Sequence, residues 1–377
     1  MHCNICDEMS ENGFSLSRLA KQYPELSALK QIPQNPEYHG EGDVYQHTEM
    51  VCRRLTESAL WQFLPSDEQT LLFLAAAFHD IGKSVCTKQE DGVWVSPRHT
   101  LLGEKVFRCL AYREAQRFGL TFRQRETVAK LIRYHGLPVW FWTKERPDFE
   151  LLRASETIPL RLLYLLSHAD VLGRIAKDTK ELAQQVELFA EYAKELGVWD
   201  NAWTFSDAYT RFQFFHRQDM WHGAQLYNDT CFDVIVMAGL PLAGKDTWIE
   251  KNRPQLPVIS LDALRETMKI PPTKSSGKVV QAALNQARVF LRDRQPFIWN
   301  ATNLLRETRK KLITLFSDYK ARVHIYYLEV PYHELLERNQ IRTRYIPDKA
   351  LEEMIRKLEP PEPWEAEKVT ILCKEQT

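Results

Sequence analysis

The chain has 377 residues, which is enough for two domains with separate hydrophobic cores. Its 50 Lys and Arg residues balance 50 Asp and Glu residues, so the net charge excludes a uniformly basic nucleic-acid binder, and any such contact must come from local patches. No apolar run approaches the roughly 20 residues that cross a bilayer, and the first residues lack a secretory signal. Because the seven cysteines are scattered, as is typical of reduced thiols, we predict a cytoplasmic protein without membrane contact.

The first part of the chain is predicted to be helical. Residues 1–44 contain prolines and a glycine-rich run, so we expect them to be irregular. Helical periodicity begins at Val44, and residues 71–78 are apolar nearly all round, which is typical of a central helix. Further helices are predicted over residues 101–115, 126–134, 158–172 and 183–196. Because no convincing strand precedes residue 230, we predict an all-α domain over residues 1–228.

Side chains that ligate metals recur along these helices. His79 and Asp80 close the central helix, and a His-Asp pair is costly to bury unless a partner offsets the desolvation. A divalent metal is such a partner, because imidazole and carboxylate are good ligands for it. Candidate ligands on other helices are His47, His99, His135 and Asp170. We interpret His39 and His168 as structural or surface histidines, and the alternative for the whole set is a bundle with scattered histidines.

The order His, His-Asp, His, His, Asp resembles the HD phosphohydrolase superfamily over most of residues 40–200. The resemblance implies one metal on His47, His79, Asp80 and Asp170, and a second on Asp80, His99 and His135, with Asp80 bridging. Imidazole ligands favour Mn²⁺, Ni²⁺ or Co²⁺ over Mg²⁺. Lys83 and Arg174 each lie one turn beyond a ligand, where they could contact the substrate phosphate and neutralise its transition state. The pattern leaves open whether one metal binds or two.

Strands and helices alternate after residue 230. Strands are predicted over residues 232–237, 258–261, 297–299, 323–328 and 369–372, with helices between them. Such alternation is typical of a parallel sheet covered by helices on both faces. We therefore predict a second domain of α/β class over residues 229–377. The fold class is multidomain, with an all-α domain followed by an α/β domain.

The first of these strands runs into the segment GLPLAGKDT. Gly239 and Gly244 let successive backbone N–H groups point at one anion, and Lys245 can bridge the terminal phosphates of a nucleotide. Asp246 stands where phosphate loops carry a magnesium-binding hydroxyl, which follows one place later as Thr247. A carboxylate could hold Mg²⁺ directly or through water. The alternative is an ordinary glycine-containing turn between a strand and a helix.

Residues at the ends of the next two strands could serve a phosphoryl acceptor. Asp262 follows the second strand, at the edge where such sheets bind ligands, and it could accept a proton from an attacking hydroxyl. Arg265 shares its helical face and suits a phosphate on the acceptor. The alternative for this pair is a helix N-cap with a surface arginine. Asn300 and Asn303 follow the third strand, where amides can orient metal or acceptor.

Two basic segments follow. The run that contains Arg306, Arg309, Lys310 and Lys311 is predicted to form a solvated helix face. In the segment ERNQIRTR, Arg338 and Arg342 are four residues apart and share a helical face. Arg-rich segments in this position act as lids in small P-loop kinases, where they bring positive charge to the transferred phosphoryl group. The alternative is an exposed basic helix.

The segments GLPLAGKDT, SLDALR, WNATN and ERNQIR together resemble the 5′-OH polynucleotide kinases of bacteriophage and bacterial RNA-repair systems, over essentially residues 231–377. The resemblance implies ATP, or another nucleoside triphosphate, and Mg²⁺. The roles that it implies are phosphate and Mg²⁺ binding for Lys245 and Thr247, general base for Asp262, acceptor binding for Arg265 and leading lid arginine for Arg342. Two residues depart from the pattern: Asp246 replaces the loop hydroxyl, and Asn300 stands where phage enzymes carry an acid.

An HD module followed by such a kinase resembles the bacterial HD-domain polynucleotide kinases, which are RNA end-healing enzymes. The resemblance implies that the kinase phosphorylates 5′-OH ends of RNA or DNA. It also implies that the HD module removes 2′,3′-cyclic phosphate, 2′-phosphate and 3′-phosphate ends, and that an RNA ligase acts downstream. Two alternatives stay open. One is an HD nucleotidase or phosphodiesterase fused to a small-molecule kinase, and the other is a non-enzymatic nucleotide-binding regulator.

Overall fold

The structure is a computed structural model that describes residues 5–217, 219–271, 277–342 and 344–374, without the side chains of residues 6, 7 and 10. The described chain divides between Trp203 and Thr204 into two compact units. The sequence predicts a boundary 25 residues later, after residue 228. The segment after Thr204 lies with the second unit because Arg211 donates to Glu367 O at 3.2 Å and the rings of Phe215 and Trp364 lie 5.8 Å apart.

The first unit consists of helices and one hairpin. The helices are α1 (Ile5–Asn12), α2 (Leu16–Gln22), α3 (Pro24–Ser27), α4 (Val44–Glu57), α5 (Ser66–Phe78), α6 (Lys83–Cys86), α7 (His99–Arg113), α8 (Ala115–Phe118), α9 (Phe122–Tyr134), α10 (Pro147–Ser155), α11 (Leu160–Leu172) and α12 (Thr179–Glu195). The hairpin pairs β1 (Lys88–Glu90) with β2 (Val93–Val95). The predicted all-helical class of this region is confirmed, with the hairpin as an exposed addition.

Two local expectations for the first unit were wrong. Residues 5–31 are largely helical rather than irregular, because Met9, Leu19 and Leu26 are buried and give three short helices an apolar face. The hairpin turns at Asp91 and Gly92, which both have positive φ. An Asp-Gly pair favours this kind of two-residue turn, so the sequence did contain the signal.

Helix α5 forms the centre of the first unit. All residues of the predicted apolar stretch from Leu71 to Phe78 are buried, which confirms its central position. The helices α4, α9 and α11 pack against it. Because His79 and Asp80 directly follow α5, the helix packing delivers these two side chains to the middle of the unit.

The second unit contains a parallel sheet. Its strands are β3 (Phe232–Ala238), β4 (Val258–Ser260), β5 (Phe297–Asn300), β6 (Ala321–Glu329) and β7 (Lys368–Cys373). Its helices are α13 (Ala208–His216), α14 (Lys245–Asn252), α15 (Leu261–Thr267), α16 (Gly277–Arg292), α17 (Arg306–Asp318), α18 (Tyr332–Ile341) and α19 (Asp348–Arg356). The strand order in the described residues is β4-β5-β3-β6-β7, and every neighbouring pair is parallel. This confirms the predicted α/β class.

The register of the sheet brings the chemically interesting segments to one edge. Asn300 at the end of β5 is paired with Met237 of β3 and with Ser260 of β4. The loops that follow these three strands therefore leave from the same edge, where ligands of open α/β sheets bind. None of the described helices combines the length and the apolar composition needed to cross a bilayer.

One basic side chain of the second unit contradicts its prediction. Arg309 is fully buried, whereas the sequence predicts a solvated face. Its guanidinium donates to both carboxylate oxygens of Glu365, at 2.7 and 2.8 Å, and to the carbonyl oxygen of Glu359 at 2.8 Å. A guanidinium can be buried when acceptors match its planar set of N–H donors. A helical pattern of basic residues does not reveal whether such acceptors are present.

Close packing of Gly82 against α7 generates a stability prediction. A Cβ atom on Gly82 would lie 2.0 Å from His99 O and 2.5 Å from Gly103 N, which are backbone atoms that cannot move cheaply. We expect Gly82→Ala to lower the free energy of unfolding by about 3 kcal/mol. Urea unfolding followed by circular dichroism measures the change.

Gly136→Ala is the matched control. Its Cβ atom would meet only Trp140 Cδ1, at 3.9 Å, so we expect a change of no more than about 1 kcal/mol. Equal effects of the two substitutions would contradict the tight contact at Gly82.

Candidate active sites in the two units

Three histidines lie at helix ends and share one hydrogen-bond arrangement. His79 and His135 follow α5 and α9, and His99 begins α7. In each ring Nδ1 lies near the carbonyl oxygen three residues earlier: 2.8 Å for His79 to Ala76, 3.0 Å for His99 to Ser96 and 2.9 Å for His135 to Ile132. A carbonyl oxygen only accepts, so Nδ1 carries the proton and Nε2 keeps its lone pair. These are the tautomers that a metal-binding imidazole requires.

The predicted ligands gather in two adjoining clusters. One contains His47, His79 and Asp170, and the other contains Asp80, His99 and His135. In the first, His47 Nε2 lies 3.0 Å from Asp170 Oδ1 and 3.4 Å from His79 Nε2. Asp80 links the two, because its Oδ2 is 3.3 Å from His79 Nε2 and its Oδ1 is 3.5 Å from His99 Nε2. The structure thus brings together all six residues that the sequence singles out as metal ligands.

The donor set fits a divalent cation. Asp80 Oδ1 is buried and accepts no hydrogen bond from the described residues. Burial lowers the pKa of His99, and it lowers the pKa of His135 to about 3, so both imidazoles are neutral. Burial alone would lower the pKa of His47, but hydrogen bonds to Asp170 and Glu41 outweigh it and raise this pKa. The neighbouring carboxylates thus favour a positive charge at this position.

Lys83 and Arg174, the two cations predicted to meet the substrate phosphate, stand beside the ligand carboxylates. Lys83 Nζ lies 2.7 Å from Asp80 Oδ2 and donates to Gln34 Oε1 at the same distance. Arg174 Nη2 lies 3.4 Å from Asp170 Oδ1, and its buried Nε finds no acceptor in the described part of the chain. Burial would raise the pKa of Asp80, but the charges of Lys83 and His79 hold it well below its usual range. The cations thus keep the buried carboxylates ionised.

Sequence analysis missed Glu41. This buried carboxylate places Oε1 2.8 Å from His39 Nδ1 and 2.9 Å from His47 Nδ1, while Oε2 accepts from Ile175 N at 2.8 Å. Burial would raise the pKa of Glu41, but these hydrogen bonds hold it well below its usual range. Glu41 therefore orients His47 from the side opposite the cluster. The glycines on either side predict only a loop, and nothing in the sequence distinguishes Glu41 within it.

The clusters lie in a cavity of about 460 Å³. Besides the ligands, its lining includes Lys83, Arg133, Lys144, Arg153, Arg174 and Trp140. Glu150 adds one acidic group to these five basic ones. The cavity is therefore suited to an anion, with five of the six candidate ligands, all but His79, in its lining.

In the second unit, the phosphate loop has the backbone that its glycines predict. Gly239 has φ +133°, and a Cβ atom there would lie 2.2 Å from Leu328 O on the neighbouring strand β6. Gly244, with φ +93°, precedes α14, which begins at Lys245. Lys245 Nζ donates to the loop carbonyls of Gly239 and Leu240 at 3.1 and 2.8 Å. The lysine thus lies over the loop that would hold a nucleotide phosphate.

Neighbouring charged groups act on Lys245. Burial lowers its pKa to about 8, while the charges of Asp246 and Asp262 oppose the shift and that of Arg342 adds to it. Asp262 is exposed and is not the helix cap, because Ser260 accepts from Ala263 N as the N-cap of α15. The alternative that Asp262 caps the helix is therefore wrong.

The two arginines of the predicted lid behave differently. Arg338 donates to Leu242 O at 2.7 Å and pairs with Glu334 at 2.6 Å, so it contacts the phosphate loop rather than only solvent. Arg342 follows α18, is exposed, and makes no hydrogen bond or ion pair with the described residues. Arg342 is therefore free to turn toward a bound phosphate.

Two predicted substrate contacts are occupied within the protein. Asn303 is buried and donates to Met237 O at 2.6 Å, so its amide joins the loop after β5 to strand β3 instead of facing an acceptor. Arg265 donates to Pro271 O at 3.2 Å. Only the packing of the loops reveals these partners, because both side chains have the polarity expected of a substrate ligand.

The two departures from the kinase pattern meet each other. Asn300 Nδ2 donates to Asp246 Oδ1 at 2.5 Å. The exposed Asp246 lies in the first turn of α14, and the buried Asn300 ends β5. The phosphate loop thus leads to the carboxylate, and strand β5 leads to the amide. Thr247, the next residue after Asp246, is exposed. Asp246 Oδ2 makes no hydrogen bond with the described residues.

The contacts of Glu41 generate a prediction for metal affinity. We expect Glu41→Gln to weaken Mn²⁺ binding by about 10- to 100-fold, because the neutral amide no longer polarises and orients His47. Calorimetric titration of the metal-free protein with Mn²⁺ measures the affinity. Glu49→Gln, an exposed change on the helix α4 that carries His47, should leave it unchanged, and an equal loss in both variants would contradict the role of Glu41.

The pair of Asp246 and Asn300 generates a second prediction. We expect Asp246→Ala to reduce the advantage of Mg²⁺-ATP over metal-free ATP in binding by about tenfold, because a cation loses its nearest loop carboxylate. Calorimetry with and without Mg²⁺ measures both affinities. Asp293→Ala, an exposed change in the same unit, is the control. If Asp246→Ala weakened both forms of ATP equally, Asp246 would not act through the cation.

Two family models match the chain, one on each unit. Residues 43–174 match the model of the HD domain, and residues 234–361 match the model of the AAA domain. The first range contains the six candidate ligands, and the second contains the phosphate loop. The HD match implies a divalent metal, and the P-loop match implies a nucleotide with Mg²⁺.

Curated relatives cover part of the chain. They are multifunctional CCA proteins: that of Xanthomonas campestris pv. campestris is 30% identical over 182 residues, 46% of this chain and 41% of the relative. That of Pasteurella multocida is 32% identical over 192 residues, which are 47% of this chain and 41% of the relative. That of Methylococcus capsulatus is 33% identical over 123 residues, which are 32% of this chain and 25% of the relative. The chain spans less than half the length of these relatives. Together with the geometry, the matches indicate an enzyme that combines a metal-dependent hydrolase unit with a P-loop, kinase-like unit.

Proposed function

We propose that the protein is a bifunctional RNA end-healing enzyme. The second unit phosphorylates 5′-OH polynucleotide ends with ATP, and the first unit removes 2′,3′-cyclic phosphate, 2′-phosphate or 3′-phosphate ends. The observation that carries the proposal is that each unit holds its own anion-binding chemistry, with Lys83 and Arg174 in the first and Lys245 in the second. If the protein were only a kinase, the metal-ligand clusters of the first unit would have no role.

In the first unit, the chain's own cations would bind the phosphate. Lys83 and Arg174 lie beside Asp80 and Asp170, so a phosphate near these carboxylates would meet both positive groups. A divalent ion held by the six ligands, Mn²⁺, Ni²⁺ or Co²⁺ by its imidazole set, would activate water and polarise the phosphate. The spare Nε of Arg174 offers a further donor to a phosphate oxygen. Glu41 keeps His47 in position throughout.

In the second unit, a phosphoryl group would pass from ATP to a 5′-hydroxyl. Lys245 leaves its loop carbonyls for the nucleotide phosphates, and Arg342 swings in to neutralise the transferred group. The bond from the γ-phosphorus to the ADP oxygen breaks as the bond to the 5′-oxygen forms, and Asp262 takes the hydroxyl proton. Asp246 and Asn300 would serve the Mg²⁺ that accompanies ATP.

The charge of the first cavity supports a polynucleotide substrate. Its lining sets five basic groups against Asp80, Asp170 and Glu150, so it keeps a net positive charge that attracts the phosphates of a polynucleotide. RNA or DNA ends fit this charge, and a ligase would consume the product of the two reactions. The described cysteines are free thiols, which fits an enzyme of the cytoplasm.

One observation favours a second candidate, an HD nucleotidase or phosphodiesterase fused to a small-molecule kinase. Arg265, expected to bind the acceptor phosphate, donates to Pro271 O instead. A kinase without that contact would have less reason to prefer a polynucleotide over a nucleoside.

The test separates the two reactions by substitution. We expect Asp262→Asn to lower the transfer of labelled phosphate from ATP to a 5′-OH oligoribonucleotide by at least about 100-fold and to spare phosphate release from a 3′-phosphorylated RNA. Asp80→Asn should do the reverse, because it alters only the metal-ligand clusters of the first unit. Both changes keep the size of the side chain.

Asp293→Asn controls for loss of an exposed carboxylate in the second unit. Labelling of a nucleoside but not of the oligonucleotide would support the small-molecule kinase. Loss of both reactions in either variant that retains its fold would refute the division of labour.

A further inference from the structure

Trp140 occupies an unusual place beside the first cavity. It belongs to a short turn after His135, at the end of α9, and its ring is 52% exposed. Its neighbours Leu137, Val139 and Phe141 are buried, so the turn is anchored to the core. Trp140 N donates to Gly136 O at 3.3 Å, which closes the turn. A well-anchored backbone thus presents the indole.

Trp142, two residues later, shows what an ordinary partly exposed tryptophan looks like here. Its ring lies 4.9 Å from Phe141 and 5.4 Å from Tyr192, so packing accounts for its position. The ring of Trp140 has no ring or cation partner among the described residues. Single exposed aromatics are common and need no explanation on that ground alone. The difference is that Trp140 lines the cavity that holds the ligand clusters, whereas Trp142 does not.

The lining of the same cavity carries positive charge. Lys144 is exposed, lines the cavity and forms no ion pair with the described residues. Arg133 also lines it and donates to Thr100 Oγ1 at 2.9 Å. Arg153 pairs with Glu150 at 2.5 Å, so the acidic group of the lining is already neutralised. The lining of the cavity that includes Trp140 therefore keeps a net positive charge.

We propose that Trp140 is the stacking platform for the terminal nucleobase of a single-stranded nucleic acid whose phosphorylated end enters the first cavity. An aromatic face beside cations is the combination that binds single strands, because every base has a stacking face and every linkage a negative charge. A small phosphate ester without a base would leave the indole unused. The inference rests on the proposed function and specifies the substrate class of its hydrolase site.

The experiment uses two short single-stranded RNAs with 3′-phosphate ends, one intact and one abasic at the terminal nucleotide. We expect Trp140→Ala to raise KM for the intact RNA by about 10- to 100-fold with little change in kcat, because it removes one stacked base. KM for the abasic RNA should not change. Trp140→Phe should restore most of the affinity, which a merely structural role would not predict. Anisotropy of 5′-labelled RNA gives Kd without hydrolysis.

Trp142→Ala is the matched control and should leave KM for both RNAs unchanged. Equal Kd values for the intact RNA in Trp140→Ala and wild type would overturn the stacking role and leave the proposed function standing. A parallel rise of KM for both RNAs would also overturn it, because the loss would then not depend on the base. A wild-type protein that neither binds nor hydrolyses the RNAs would overturn the proposed function and this inference together.

Discussion

The first unit depends on the compensation of buried carboxylates. An ionised carboxylate withdrawn from water costs several kcal/mol unless positive charge or donors replace the lost hydration. Asp80 and Asp170 obtain this from Lys83, Arg174 and the imidazoles, and Glu41 obtains it from two imidazoles and a backbone N–H. The helices α4, α5, α7, α9 and α11 are packed so that these groups meet. The arrangement that offsets the desolvation cost of the carboxylates also creates a place for a cation.

The second unit solves a related problem with backbone groups. Its loop offers N–H groups to an anion, while Lys245 rests on two loop carbonyls and is partly desolvated there. The carboxylate stands in the loop, as Asp246, and the neutral polar group stands at the strand end, as Asn300. The hydrogen bond between them keeps both groups at the same edge of the sheet. The local composition of the site is thus kept although the two positions are not the usual ones. Hydrogen bonding, rather than position in the motif, defines this pair.

Polar side chains divide into those that serve the fold and those left for a ligand. Arg309 and Asn303 have their donors taken by carboxylates and carbonyls, and they hold loops together. Arg342 and Lys144 have no such partners among the described residues. Their residue types alone do not separate the two groups. The distinction lies in which acceptors the folded chain brings within about 3 Å of each donor.

The sequence by itself determined the fold class of both units, because helical and strand periodicities follow from local burial. It also identified the six candidate ligands, from the order of the His and Asp residues. It identified the phosphate loop as well, because the spacing of the loop glycines is set by local geometry. Only the tertiary structure decided that Glu41 lies behind His47, that Asn300 reaches Asp246 and that Asn303 turns inward. Each of these contacts joins residues from different elements. Such contacts depend on helix packing and strand register, and no short segment of the sequence determines these.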